Sequence, residues 1–130
     1  MTSYRTPLGR VRGMGAAKHG VGHFIGQRVS AVALIFLVLW GVYSALGLAQ
    51  ADYASAGAWM RSPWHAVPLA LFVGVALYHA RLGIQIVIED YIHKPLTRNA
   101  LLILNVFVAW LGAAIGVFSI LKVAFGGGAL

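Results

Sequence analysis

The architecture of this chain is decided by residues 78–91, which read YHARLGIQIVIEDY. The stretch is largely apolar, yet it holds a histidine and an arginine near its middle and two carboxylates at its end. Ionisable side chains are costly inside a bilayer, so those found there face a bundle interior or a cavity and mark functional sites. The stretch therefore predicts a membrane helix with a functional face.

The composition of the whole chain is that of an integral membrane protein. Hydrophobic residues make up 60% of the 130 residues and charged residues only 10%, where soluble domains have about 25% charged residues. The formal net charge is +7. In a soluble protein this excess would suggest nucleic acid as a partner, but in a membrane protein it indicates topology and contact with anionic headgroups. We therefore expect the lipid bilayer, and no nucleic acid, as a partner.

The chain contains no cysteine. Disulfides, covalently attached c-type haem and cysteine-ligated iron–sulfur clusters are therefore excluded within it. Five histidines remain as candidate nitrogen ligands.

Three apolar segments are long enough to cross a bilayer. They cover about residues 29–49, 66–90 and 100–122, and a helix needs roughly 20 apolar residues to span the hydrocarbon core. Since lipid offers no hydrogen bonds to the backbone, each segment must be helical. Pro68 is expected in the first turn of the second helix, where its missing N–H does little harm. The predicted fold class is an all-α membrane protein with three transmembrane helices.

This assignment divides the chain into three parts. Residues 1–28 form a basic N-terminal segment, residues 29–125 the transmembrane anchor domain, and residues 126–130 a short tail. The basic segment contains five lysines and arginines and no acid, and the second loop contains Lys94 and Arg98. The positive-inside rule therefore places the N-terminus and the second loop inside. Aromatic residues of the first loop fit an interfacial belt on the outer side: Tyr53, Trp59 and Trp64.

Helical periodicity brings two parts of the opening stretch onto one face. His79 and Asp90 are eleven residues apart, so Asp90 returns to within about 20° of His79 at an axial distance of roughly 16 Å. Tyr91 lies about 100° from Asp90 at the same level, and Arg81 faces about 200° away from His79. One face therefore has a histidine near mid-membrane and a carboxylate near the inner surface.

The residues alone leave two interpretations of this face open. His79 either hydrogen-bonds across helices or acts as an axial ligand of haem iron. Asp90 and Tyr91 either form an ordinary polar helix end or line a quinone pocket, where a hydroxyl holds a carbonyl oxygen and a carboxylate relays protons. Gly83, one turn from His79, leaves space for a macrocycle or for a closely packed helix.

Two motifs resemble a known family. The string HARLGIQIVIEDY, residues 79–91, resembles the pattern H-x-x-x-G-x-x-x-x-x-x-D-Y of the smaller, D-type hydrophobic membrane anchor subunit of succinate dehydrogenase, complex II. The string HFIGQRVSAVAL, residues 23–34, resembles the start of the first span in that family, where an arginine begins an R-x-[ST]-A-x-x-L pattern. Arg28 takes the place of this arginine.

The resemblance implies roles for five residues of this chain. His79 would be an axial ligand of haem b iron, Tyr91 would hydrogen-bond a ubiquinone carbonyl, and Asp90 would support that site and its protonation. Arg28 would lie near the haem propionates and the quinone, where pairing with a carboxylate suits its chemistry. His23 would contact a propionate; some family members have this histidine one place earlier relative to the arginine, where this chain has a glycine.

The resemblance also implies partners and a location. The chain would be half of a two-subunit, haem-binding helical bundle, paired with a second membrane anchor, the cytochrome b subunit. It would dock an iron–sulfur subunit, and a flavoprotein subunit would oxidise succinate and supply electrons for ubiquinone. The chain would perform no dicarboxylate chemistry itself. The expected location is the bacterial inner membrane, with the mitochondrial inner membrane as the alternative.

A different function class also accounts for the polar residues within the spans. The chain would then be a non-redox membrane adaptor or a small transporter component, in which His79 and Arg81 make structural contacts between helices.

Overall fold

A computed structural model describes residues 6–13 and 20–126. Within these ranges every regular element is an α-helix: α1 Pro7–Val11, α2 Gly20–Leu48, α3 Tyr53–Arg61, α4 Pro63–Tyr91 and α5 Pro95–Phe125. The predicted all-α fold class is therefore confirmed. Parts of the predicted basic segment and of the tail lie outside the described residues, including Arg5, Lys18 and His19.

Three of these helices are long and apolar enough to cross a membrane, namely α2, α4 and α5, with 29, 29 and 31 residues. At about 1.5 Å per residue each exceeds the roughly 30 Å of a bilayer core, so their ends extend into the headgroup layers. Helices α4 and α5 contain the second and third predicted spans and continue beyond them, whereas α2 begins before the first predicted span and ends at Leu48, one residue short of its predicted end. Residues 20–28, predicted as part of the basic segment, are the first turns of α2.

The central helix is α4, which packs against α2 and against α5. Two glycines leave room for side chains of α4: a Cβ added at Gly26 of α2 would clash with Tyr78, and one added at Gly116 of α5 would clash with Val73. Small residues are typical of membrane helix interfaces because they let two backbones approach. Few described side chains are buried, and large apolar ones are exposed along all three spans. The outward surface is therefore suited to lipid and to other protein rather than to water.

The loop between α2 and α4 contains the short helix α3, which the sequence analysis did not predict. Asp52 caps its N-terminus, where its carboxylate accepts a hydrogen bond of 2.9 Å from the Ser55 backbone N–H. Hydrogen bonding to Ser55 lowers the pKa of this exposed carboxyl.

An aromatic stack joins three helices at the end of the bundle that contains α3. The ring of Trp59 lies 6.0 Å from that of Trp40 on α2 and 4.4 Å from that of His65 on α4, measured between centroids. Trp59 is thus packed between helices, whereas Tyr53 and Trp64 are exposed as an interfacial belt requires.

The predicted position of Pro68 in its helix is wrong. We expected it in the first turn of the second span, but α4 begins earlier, at Pro63, and Pro68 falls in its second turn. The cause is Pro63 itself, whose fixed φ favours the first helical position directly after Ser62. Because Pro68 has no N–H, the carbonyl of Trp64 lacks its helical donor.

Candidate functional site

His79 lies on the face of α4 that packs against α2, and its side chain is half-buried. Its ring nitrogen Nδ1 is 2.9 Å from the hydroxyl oxygen of Ser30 on α2. Ser30 is only 5% exposed and is the one buried polar residue in the described part of the chain. The histidine is therefore held to the neighbouring helix through Nδ1.

The other ring nitrogen of His79 is not used by the fold. Within residues 6–13 and 20–126 no hydrogen bond reaches Nε2, and this atom is not among those that the fold encloses without a partner. The imidazole thus has one nitrogen engaged inside the bundle and one open at its surface. This arrangement leaves a lone pair or an N–H for a group outside the described chain.

Two predicted residues lie on the first turns of α2. Arg28 is exposed, and its guanidinium carbon is 5.1 Å from the centroid of the Phe24 ring, a cation–π contact. His23 is half-buried, and its Nε2 is enclosed with no hydrogen-bond partner among the described residues. The same holds for Oε1 of Gln27, one turn further along α2. Enclosed polar atoms without partners are rare, so this face of α2 has unmet hydrogen-bonding capacity.

The C-terminal end of α4 presents the predicted carboxylate and tyrosine. The helix continues without a break from His79 to Tyr91, so the axial distance of roughly 16 Å between His79 and Asp90 stands. Asp90 is exposed, and Tyr91 is 75% exposed. Glu89 on the same turn accepts a 2.8 Å hydrogen bond from Gln85. The chain turns away at Ile92, which leaves Asp90 and Tyr91 at the tip of the helix.

Arg81 lies on the opposite side of α4, against α5. Its backbone carbonyl accepts a 2.9 Å hydrogen bond from the side-chain amide of Asn105. Its Nε is enclosed without a partner in the described chain, and the residue lines a narrow gap beside Trp110. The predicted separation of about 200° between His79 and Arg81 therefore corresponds to two different helix interfaces.

A groove of about 460 Å³ lies at the other end of α4, between α4 and α5. Apart from Arg61 at its edge, its lining is made of apolar residues and proline. It lies near Pro63 and Phe125, at the opposite end of α4 from Tyr91, so it contributes nothing to the face described above.

Ser30 is the functional candidate that the sequence analysis missed. It occupies the [ST] position of the motif that begins at Arg28, and a hydroxyl at a fixed place in an apolar span was the available signal. Of the predicted residues, the structure brings His79 into contact with α2 and leaves Asp90 and Tyr91 exposed at the helix tip.

The chain is similar in sequence to known proteins over nearly its whole length. Residues 2–118 match the family described as succinate dehydrogenase/fumarate reductase transmembrane subunit. The chain is 34% identical over 120 residues to the succinate dehydrogenase hydrophobic membrane anchor subunit of Rickettsia bellii (strain RML369-C), covering 92% of this chain and 88% of that protein. It is 34% identical over 128 residues to the protein of the same name from Paracoccus denitrificans, covering 95% of each.

A further relative gives the same result. The chain is 33% identical over 102 residues to the succinate dehydrogenase hydrophobic membrane anchor subunit of Rickettsia conorii (strain ATCC VR-613 / Malish 7), covering 78% of this chain and 81% of that protein. With three membrane-spanning helices and bacterial relatives, this is a multi-pass protein of the bacterial inner membrane. The chain belongs to the family of transmembrane subunits of succinate dehydrogenase and fumarate reductase.

Proposed function

We propose that this chain is the D-type membrane anchor of a succinate:ubiquinone oxidoreductase, in which His79 would hold a haem b through its iron and the chain would form part of a quinone site. In this assignment a flavoprotein subunit oxidises succinate, and an iron–sulfur subunit on the inner face passes the electrons on. A second three-helix anchor completes the membrane domain. The relatives support this assignment because they are named as membrane anchor subunits of succinate dehydrogenase.

The haem assignment rests on the different environments of the two ring nitrogens of His79. A metal-bound imidazole uses one nitrogen for the metal and the other for a hydrogen bond that orients the ring. In His79, Nδ1 is engaged by Ser30 and Nε2 is open, so the residue fits this requirement. A haem b held there supplies one-electron redox chemistry within the membrane.

A second ligand to the haem iron would come from the partner anchor. The other described histidines lie towards the helix ends or in a loop: His23 in the first turn of α2, His65 at the outer end of α4, and His93 beyond its inner end. None of them is at the depth of His79 along α4. Arg28 is exposed and positively charged, and His23 has an enclosed nitrogen that finds no hydrogen-bond partner among the described residues. Both suit the propionates of a haem bound against α2.

The quinone site is assigned to the inner end of α4. Reduction of a quinone to its quinol takes two electrons and two protons, and the carbonyl oxygens receive the protons. The hydroxyl of Tyr91 can donate a hydrogen bond to one carbonyl oxygen. The adjacent carboxylate of Asp90 can pass protons from the aqueous side. Exposure of both side chains at the helix tip suits a pocket that is completed by the other subunits.

An optical spectrum of the complex purified in mild detergent tests the haem assignment. Reduced-minus-oxidised b-type bands are expected in the wild-type complex and should be lost in His79→Ala. The control is His65→Gln, at the outer end of the same helix, which should retain the bands. Succinate oxidation with an artificial acceptor reports whether the catalytic subunits are still attached. Unchanged bands in an intact His79→Ala complex would remove this residue as a ligand.

The proteins that copurify with the chain test the wider assignment. A flavoprotein, an iron–sulfur protein and a second small membrane subunit are expected in stoichiometric amounts. Isolation without these partners would favour the adaptor or transporter alternative and overturn the proposal.

A further inference from the structure

The hydroxyl of Ser30 is in contact with three polar atoms. It lies 2.7 Å from the carbonyl oxygen of Gly26, 3.1 Å from that of Gln27 and 2.9 Å from Nδ1 of His79. With 5% exposure, Ser30 has almost no access to solvent or to a partner chain. Its hydrogen bonds must therefore be satisfied by these three atoms.

The direction of each hydrogen bond follows from the hydrogens that the three groups can donate. A hydroxyl has one hydrogen to donate and two lone pairs that accept, whereas a carbonyl oxygen only accepts. At 2.7 Å from the oxygen of Gly26, the hydroxyl must donate to the carbonyls of its own helix. The remaining contact, to His79, can then be satisfied only if Nδ1 carries the hydrogen and donates it to Ser30. This tautomer leaves the lone pair on Nε2.

We infer that Ser30 is a positioning residue for His79, which fixes both the tautomer and the orientation of the imidazole so that Nε2 keeps the lone pair that would ligate haem iron. The inference rests on the proposed function, because it assigns a purpose to that lone pair. Without the acceptor at position 30, the ring can exchange tautomers or rotate, and its Nδ1–H is left unsatisfied. An acceptor on Nδ1–H also raises the basicity of the ligating nitrogen.

The alternative is that Ser30 only joins α2 to α4. A purely structural contact would affect assembly and thermal stability, but it would not alter the electronic properties of a haem that is still bound. The two roles therefore differ in spectroscopic and redox readouts, and they need not differ in quinone reductase activity.

The test is a redox titration and a low-temperature EPR spectrum of haem b in the purified four-subunit complex. Ser30→Ala should raise the midpoint potential, because a less basic imidazole stabilises ferric iron less, and should shift the EPR signal of the ferric haem. Ser30→Thr keeps the hydroxyl and should restore both properties towards wild type. The matched control is Ser119→Ala, which removes a hydroxyl that donates a 2.7 Å hydrogen bond to the Ile115 carbonyl of its own helix and is hydrogen-bonded to no histidine within residues 6–13 and 20–126.

A second readout is how firmly haem is held. Loss of a partner that orients a metal ligand costs about 10–100-fold in affinity, so haem should transfer faster from Ser30→Ala to added apomyoglobin. If the alanine variant does not assemble, Ser30→Cys keeps a similar volume with a weaker acceptor and takes its place. Wild-type potential, EPR signal and transfer rate in the substituted complex would overturn the inference while leaving the haem assignment intact. Absence of haem from the wild-type complex would instead overturn the proposed function.

Discussion

At the scale of single residues, α4 places the proposed haem ligand and the proposed quinone-binding residue at different positions along its length. His79 is held through Nδ1 inside the bundle, and Tyr91 lies twelve residues further on, 75% exposed at the helix tip. A phenol that made only structural contacts would not need to be exposed, whereas one that binds a substrate carbonyl must present its hydroxyl outside its own chain. Tyr91 is therefore the residue whose hydroxyl gives the clearest test of the quinone site.

Replacing Tyr91 with phenylalanine should slow quinone reduction by roughly twofold to thirteenfold, because one hydrogen bond contributes about 0.5–1.5 kcal/mol and about 1.4 kcal/mol corresponds to tenfold in rate. Succinate-dependent reduction of a soluble quinone analogue measures the loss, and an artificial acceptor measures the activity that bypasses the site. Tyr53→Phe is the control, since Tyr53 is 96% exposed at the other end of the bundle. Equal losses with both acceptors would count against a quinone role for Tyr91.

The sequence was sufficient to orient His79 and Arg81 but not to find their partners. Helical periodicity alone separates the two residues by about 200°, and their contacts do lie on different neighbours, Ser30 of α2 and Asn105 of α5. Ser30 could not be assigned in this way, because a serine in an apolar helix can satisfy its hydroxyl on its own backbone. Only the register between α2 and α4 shows that it also meets a histidine.

At the scale of elements, the contact between α4 and α5 depends on two glycines that face α4 differently. A Cβ added at Gly116 would lie 2.7 Å from Cγ1 of Val73, whereas one at Gly112 would lie 3.4 Å from Cδ1 of Leu77. The first distance is a clash with a stiff β-branched side chain, and the second is close to ordinary contact. The same substitution on the same helix should therefore have different consequences at the two positions.

Gly116→Ala should destabilise the packing of α5 on α4 by about 1–3 kcal/mol, the usual cost of overpacking, whereas Gly112→Ala should have little effect. Thermal unfolding of the purified complex in mild detergent measures the difference. Combining Gly116→Ala with Val73→Ala removes the clashing methyl group and should recover part of the loss. Similar melting temperatures for the two single variants would show that the close approach at Gly116 does not limit stability.

The short helix α3 was not predicted from the sequence, and its stability should depend on pH. The three spans were predictable because length and hydropathy suffice to identify them, but α3 has only nine residues and depends on its cap and on contacts with α4 and α5. The carboxylate of Asp52 supplies that cap, and its pKa is lowered by hydrogen bonding to Ser55. A lowered pKa means that the charged carboxylate stabilises the folded helix.

This stabilisation should be complete above the ordinary carboxyl pKa of about 4 and should be lost as the pH falls through the lower pKa of folded Asp52. Hydrogen exchange of a peptide covering residues 53–61, corrected for intrinsic exchange at each pH, should therefore accelerate in acid. Asp52→Asn retains an acceptor at the cap and should remove the pH dependence, whereas Asp52→Ala should exchange faster at neutral pH as well. An acid response that persists in the asparagine variant would assign it to another group.

At the scale of the whole molecule, the three spans form a row with α4 in the middle and leave most large apolar side chains exposed. The number of spans could be predicted from the three apolar segments of sufficient length. Their helical structure could be predicted because unsatisfied backbone groups are too costly in lipid. The partner-facing surface could not be predicted in the same way, since apolar residues on all sides suit lipid and protein equally. We assign the face that contains His79 to the second anchor, because Nε2 of this residue is open at the surface of the described chain.

The orientation of the chain in the membrane is predicted from its charge distribution alone. Arg28, Lys94 and Arg98 lie at one end of the bundle, and the positive-inside rule places that end in the cytoplasm. Because the chain has no cysteine, a single introduced cysteine is the only thiol on it, and its labelling is read on the band of this chain after the subunits are separated by gel electrophoresis. Ala54→Cys, exposed on α3, should react with a membrane-impermeant maleimide in spheroplasts. Thr97→Cys, exposed at the start of α5, should react only after the membrane is opened and the complex denatured. The reverse labelling pattern would invert the topology and move Asp90 and Tyr91 to the outer face, away from an iron–sulfur subunit in the cytoplasm.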